Sequence, residues 1–167
     1  MVVRLSGPQL IFGVKSQFTV PPYAMTLALN PAVSAPPLTL GRLVVLVREY
    51  EPALAFYRAA FGARVLFDAP SPAGGRYLHV GFGPEDGAGL WLLRAGGEAA
   101  ARVGRQTAGE PLAVLYTPNV RAAVARAAAA GAEVVRPVDS ADGASFAHLA
   151  DLYGNVFVLV ELPSAAA

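Results

Sequence analysis

Residues 42–66, RLVVLVREYEPALAFYRAAFGARVL, decide the fold. The opening RLVVLV is a compact, valine-rich apolar run that suits a buried strand. Pro52 follows where a first helical turn tolerates a missing N–H. Ala53, Phe56, Tyr57 and Ala60 then recur at helical spacing, and Gly62 offers the left-handed stop that ends a helix. Residues 64–67 read as a second strand. The plan returns at residues 112–136, LAVLYTPNVRAAVARAAAAGAEVVR, with Asn119 as a good N-cap and Gly131 in the place of Gly62.

Working outward, each copy is followed by two more short strands. In the first copy a Pro- and Gly-rich loop over 68–75 leads to strands at 76–82 and 90–93, separated by GPEDGAG. In the second, a loop over 137–143 leads to strands at 145–149 and 156–162, joined by the turn DLYGN. A polar, Gly- and Ala-rich connection over 94–110 links the halves. A duplicated supersecondary unit of this kind predicts an α+β fold made of two βαβββ units, about 40–95 and 111–162, within one domain spanning 39–163.

Residues 1–38 differ from the rest. They hold Pro8, Pro21, Pro22, Pro31, Pro36 and Pro37 and show no sustained period, so an extended or mobile leader is expected, with Met25 an alternative start to Met1. Gly7, Pro8, Gly13 and Lys15 interrupt every apolar core that a secretory signal would need. Residues 164–167 read as a short tail. A 167-residue chain is long enough to bury a core without metal or disulfide staples. The absence of cysteine excludes disulfides, thiolate metal sites and cysteine nucleophiles. A net charge of +1 gives no electrostatic reason to expect nucleic acid or an acidic membrane as partner. No apolar run approaches the roughly 18 residues that span a bilayer, and a cytoplasmic location is expected.

The strand–helix segment VLVREYEPALAFYRAAFGARV, its partner NVRAAVARAAAAGAEVVRP and the closing DLYGNVFVLVE together resemble the vicinal oxygen chelate superfamily of glyoxalases, bleomycin-resistance proteins and extradiol dioxygenases. The resemblance implies that each unit curls its sheet into half of a cup that holds a ligand. It also implies a homodimer. Enzymes of this superfamily bind a divalent metal through a residue of the first and of the last strand of each unit, using His, Glu or Gln. The matching positions here are Arg42, Leu93, Leu112 and Val158. Three have no atom that can coordinate, and arginine is a permanent cation with no lone pair to offer. No metal and no other cofactor is therefore expected.

Strand alternation from an inward Arg42 sends Val44 and Leu46 inward too, together with Leu112, Val114, Tyr116, Trp91, Leu93, Val156, Val158 and Val160. That describes an apolar hollow with one guanidinium, one indole and one phenol, the usual makings of a small-molecule site. Arg42 is the expected anchor, Trp91 and Tyr116 the stacking surfaces, and Val44, Leu112 and Val158 the walls. A guanidinium there wants a partner, whether a nearby acid such as Glu110, water, or an acid or carbonyl group on an aromatic or apolar ligand. His79 and His148, the only histidines, lie 69 residues apart, as do Gly62 and Gly131, so they occupy equivalent places in the two units. They are candidates for acid–base work, although two imidazoles without a carboxylate make a poor metal site.

Three readings stay open. One is a metal-free protein that binds a small apolar or aromatic molecule in its cup, which leans away from an enzyme. Another is a metal-independent lyase or isomerase using Arg42 with a histidine. The third is a non-catalytic interaction domain whose cup is filled by its own side chains.

Overall fold

The structure, a computed structural model, describes residues 38–72, 74–83 and 87–163. The expected leader up to residue 37 and the tail lie outside the described residues. The first unit runs β1 (Arg42–Val47), α1 (Tyr50–Phe61), β2 (Arg64–Ser71), β3 (Gly75–Gly81) and β4 (Gly89–Arg94). A 3-10 turn at Gly97–Arg102 follows. The second unit is β5 (Pro111–Tyr116), α2 (Val120–Ala129), β6 (Glu133–Ala141), β7 (Ala144–Ala150) and β8 (Val156–Glu161). Each unit forms a four-stranded mixed sheet, in the orders β1-β4-β3-β2 and β5-β8-β7-β6, with its first strand parallel to its last. This is the duplicated α+β architecture that the repeat predicts.

Local chemistry sets the helix ends. Gly62 takes φ 70°, and the N–H groups of Gly62 and Ala63 close on the carbonyls of Arg58 and Tyr57, a left-handed cap open to glycine. The Asn119 side chain accepts from the Ala122 N–H at 2.9 Å and starts α2. Pro52 stands in the first turn of α1, where its missing N–H has no helical partner to lose.

Two strands run further than their sequences suggest. β2 continues to Ser71 and β6 to Ala141, through the prolines read above as loops. Both are edge strands, and a residue without an N–H is tolerated at an edge. Pro70 pairs with Arg76, and Pro137 falls in the register shift between Arg136 and Asp139. The free edge of β1 is covered differently. The Gln106 side-chain amide donates to the Val44 carbonyl and accepts from the Leu46 N–H, as a neighbouring strand would.

The core lies on the helix side of both sheets. Val45, Val47, Leu78, Val80 and Leu92 of the first sheet are fully buried with Ala147, Leu149 and Phe157 of the second, and α1 and α2 pack on each other between them. Arg126 of α2 donates through Nε to the Ala59 carbonyl and through Nη2 to that of Arg58, tying α2 to the end of α1. The core also holds a polar knot. The buried Asp151 carboxylate accepts from the Tyr57 hydroxyl at 2.6 Å, from the Tyr153 and Asn155 N–H groups, and from the Asn155 amide at 2.9 Å. Among the described residues no helix is long and apolar enough to cross a membrane.

Burial first, and then the Asp151 charge and hydrogen bond, push the Tyr57 hydroxyl well above the ordinary tyrosine value of 10.0. Tyr57→Phe removes one donor from a buried carboxylate and is expected to lower unfolding free energy by about 1–3 kcal/mol in a urea titration. In the native chain Tyr57 keeps its proton where the unfolded chain would release it, so its contribution is complete below pH 10 and falls as pH rises above it. Tyr57→Phe should lose that alkaline-sensitive component, and an unchanged stability profile would contradict the assignment.

Candidate functional site

Each sheet buries one face on the helices and leaves the other open to a different degree. On the first sheet the open face is a lattice of rings. His79 of β3 pairs with Trp91 of β4 and with Phe67 of β2, and Trp91 pairs in turn with Val44 of β1. The His79 ring lies 5.4 Å from that of Phe67 and 5.7 Å from that of Trp91, and Tyr77 lies 5.5 Å from Trp91. Such separations are those of favourable aromatic pairs.

Polar atoms without partners sit in this lattice. Arg42 Nε, His79 Nε2 and Trp91 Nε1 are all buried and hydrogen-bonded to nothing among the described residues. Arg42 is held by its Nη1, which donates to the carbonyls of Gly41 at 2.6 Å and Gly87 at 3.2 Å. No ion pair with Arg42 occurs among the described residues, and Glu110 stays exposed. Burial and then the Arg42 charge lower the pKa of His79, so its imidazole is neutral at pH 7. A neutral imidazole beside an indole and within the influence of the Arg42 charge can donate to or accept from a bound molecule, and can move a proton.

The lattice continues into a cavity of about 200 Å³ lined by Tyr50, Ser71, Gly74, Gly75, Arg76, Trp91, Leu93 and Arg94. Arg76 and Arg94 each lie over the Tyr50 ring, at 5.6 and 5.7 Å. Arg76 is also fastened to Asp68 and Glu51, both at 2.6 Å.

The second sheet carries the equivalent positions with different residues. His148 pairs with Arg136 where His79 pairs with Phe67, and with Val158 where His79 pairs with Trp91. Arg136 lies over the Phe146 ring at 5.4 Å. Val114 pairs with Val158 and is 50% exposed, so this face is apolar but shallow.

The expected site residues therefore divide. Arg42, Val44 and Trp91 share one face with His79, and Val158 shares the other with His148. Leu112 falls at a register shift in β5 and packs against the core. Tyr116 is 70% exposed and borders a separate cleft beside α2. Phe67 lies within the strand expected over 64–67, but its place opposite His79 follows from a register shift after Val65 that strand alternation alone does not show.

The donor set does not suit the metal that this fold often carries. Arg42, Leu93, Leu112 and Val158 offer no coordinating atom. Among the described residues no group of three or more His, Asp or Glu could hold a metal ion.

Fold and site together define a protein of paired βαβββ units with an open, ring-lined sheet face. The family model of the Glyoxalase/Bleomycin resistance protein/Dioxygenase superfamily matches residues 39–159, and the chain belongs to that superfamily. Among solved structures, UcmS2 is 25% identical, with 75% of this chain and 98% of that one aligned at a TM-score of 0.64. TnmS3, an antibiotic binding protein from Streptomyces sp. CB03234, is 27% identical over 80% of this chain and 98% of its own, at a TM-score of 0.58. Glyoxalase I from Zea mays shares the fold at 17% identity and a TM-score of 0.57, with 72% of this chain and 43% of that one aligned. No curated protein sequence matches the chain.

In a histidine NMR titration, His79 is expected to protonate below the ordinary value of 6.5. Arg42→Gln should move that midpoint up. A midpoint unmoved by the substitution would show that the two side chains do not share a face.

Proposed function

We propose that the chain binds a small aromatic or apolar molecule bearing an acid or carbonyl group, on the open face of the first sheet and without a metal. The observation that carries this reading is the trio of buried, unpartnered nitrogens on Arg42, His79 and Trp91, set among four rings. A buried donor left unmade costs free energy, and a ligand oxygen that accepts from two of them recovers it. The rings offer flat stacking surfaces on either side of those donors. The antibiotic-binding description of TnmS3, at 27% identity, supports a binding role for the present chain. Binding is favoured over a lyase or isomerase reaction because, among the described residues, no carboxylate is paired with His79, and His148 lies on the other sheet.

The proposal includes a homodimer. Val114, Val134, Val135, Tyr116 and Leu162 leave the second sheet and its margins with exposed apolar side chains, and a second copy is the natural cover for them. The cytoplasm is the proposed location.

Native mass spectrometry of the purified protein is expected to give a dimer that carries no stoichiometric metal. A bound Zn, Fe, Mn or Ni retained after chelator dialysis, or a monomer at tens of micromolar, would count against those parts of the reading. For the ligand, 1-naphthoate is a suitable probe. Arg42→Ala should weaken its binding by about 1.5–3 kcal/mol, the range for a charged hydrogen bond, without loss of melting temperature. Equal binding by the native and Arg42→Ala proteins would overturn the anchor.

A further inference from the structure

On the opposite, helix side of the second sheet lies a cleft of about 390 Å³ that the reading above does not use. Its floor is Leu115 and Leu159, its walls are Phe61 and Phe82 on one side and Ala122 and Ala123 on the other. Phe61 and Phe82 meet edge to face at 6.4 Å, so the aromatic wall is stiff. Alanines on the facing side of α2 leave the space that larger residues would fill. The volume falls within the range of small-molecule sites, roughly 300–1,000 Å³.

The charge of the lining is one-sided. Among the described residues Arg126 is the one charged residue lining the cleft, and no acid joins it there. Its guanidinium is pinned by Nε and Nη2 on the last carbonyls of α1, which leaves Nη1 without a hydrogen-bond partner among the described residues. A cation fixed in direction beside an apolar hollow fits a molecule with an apolar body and one anionic end. Glu161, beside the start of α2, does not compete, since its carboxylate is taken up by the Val120 N–H at 2.8 Å.

We propose that this cleft is a second ligand site, for an amphipathic carboxylate whose apolar body lies between Phe61, Phe82 and Ala123 while its carboxylate meets Arg126. The site is separate in position and residues from the ring-lined face, so the two readings stand or fall independently.

The test uses decanoate and the neutral decanol on the full chain, followed by amide NMR shifts. Decanoate is expected to perturb Ala60, Leu115 and Ala123 saturably, and to bind roughly tenfold more tightly than decanol, the worth of one charge-assisted hydrogen bond. Arg126→Gln should bring decanoate down to the decanol level. Ala122→Phe fills the cleft from an exposed position on α2 and should abolish decanoate binding while 1-naphthoate binding persists. Decanoate shifts that map elsewhere, equal affinity for acid and alcohol, or binding that survives Ala122→Phe would each overturn the proposal. So would dissociation of a dimer by Ala122→Phe, which would make the cleft an interface between copies.

Discussion

The arrangement of this molecule depends on one buried carboxylate. Asp151 sits at 5% exposure in the turn between β7 and β8 and accepts four hydrogen bonds. Three come from its own turn. The fourth comes from Tyr57, on the helix of the other unit. A buried charge is tolerable only when its acceptor sites are filled, so the second unit's turn is stable in the folded chain only while α1 stands beside it. Tyr57 also meets Phe157 of β8 at 6.0 Å, which adds ring contact to the polar tie. The outcome is that both helices lie between the sheets, and the opposite face of each sheet is released for other uses.

The connection between the units serves the same end. Gly104 takes φ 77°, and a Cβ there would lie 1.7 Å from the Tyr153 carbonyl oxygen, so the segment presses its backbone against the turn that Asp151 organises. A few residues on, Gln106 closes the edge of β1. The linker thus fixes two features at once, the free edge of the sheet that carries the ring lattice and the β7–β8 turn that Tyr57 ties to the first unit.

Duplication gave two equivalent sheet faces, and divergence at a few positions made them unlike. Phe67 and Trp91 flank His79, whereas Arg136 and Val158 flank His148. The first set encloses an imidazole in aromatic surface and depletes it of partners. The second leaves its histidine beside a cation that is already over the Phe146 ring. Equivalent backbones thus present one face suited to stacking and hydrogen-bonding a ligand, and one suited to being covered.

The sequence by itself determined the duplicated unit and the helix caps at Gly62 and Asn119, because each follows from local periodicity and local backbone chemistry. That Arg42, Leu93, Leu112 and Val158 carry no coordinating side-chain atom is likewise a matter of the residues themselves and not of their surroundings. Strand lengths escaped the sequence. Prolines at 70 and 137 read as breakers until the strands that hold them prove to be edges, and edge position is a property of the assembled sheet. Only the tertiary structure decided that Leu112 turns to the core at a bulge, that Tyr116 stands apart from Trp91, and that Arg42, His79 and Trp91 come together with nitrogens unpaired. Those facts depend on register and on which strands are neighbours, and both are fixed by contacts between residues tens of positions apart.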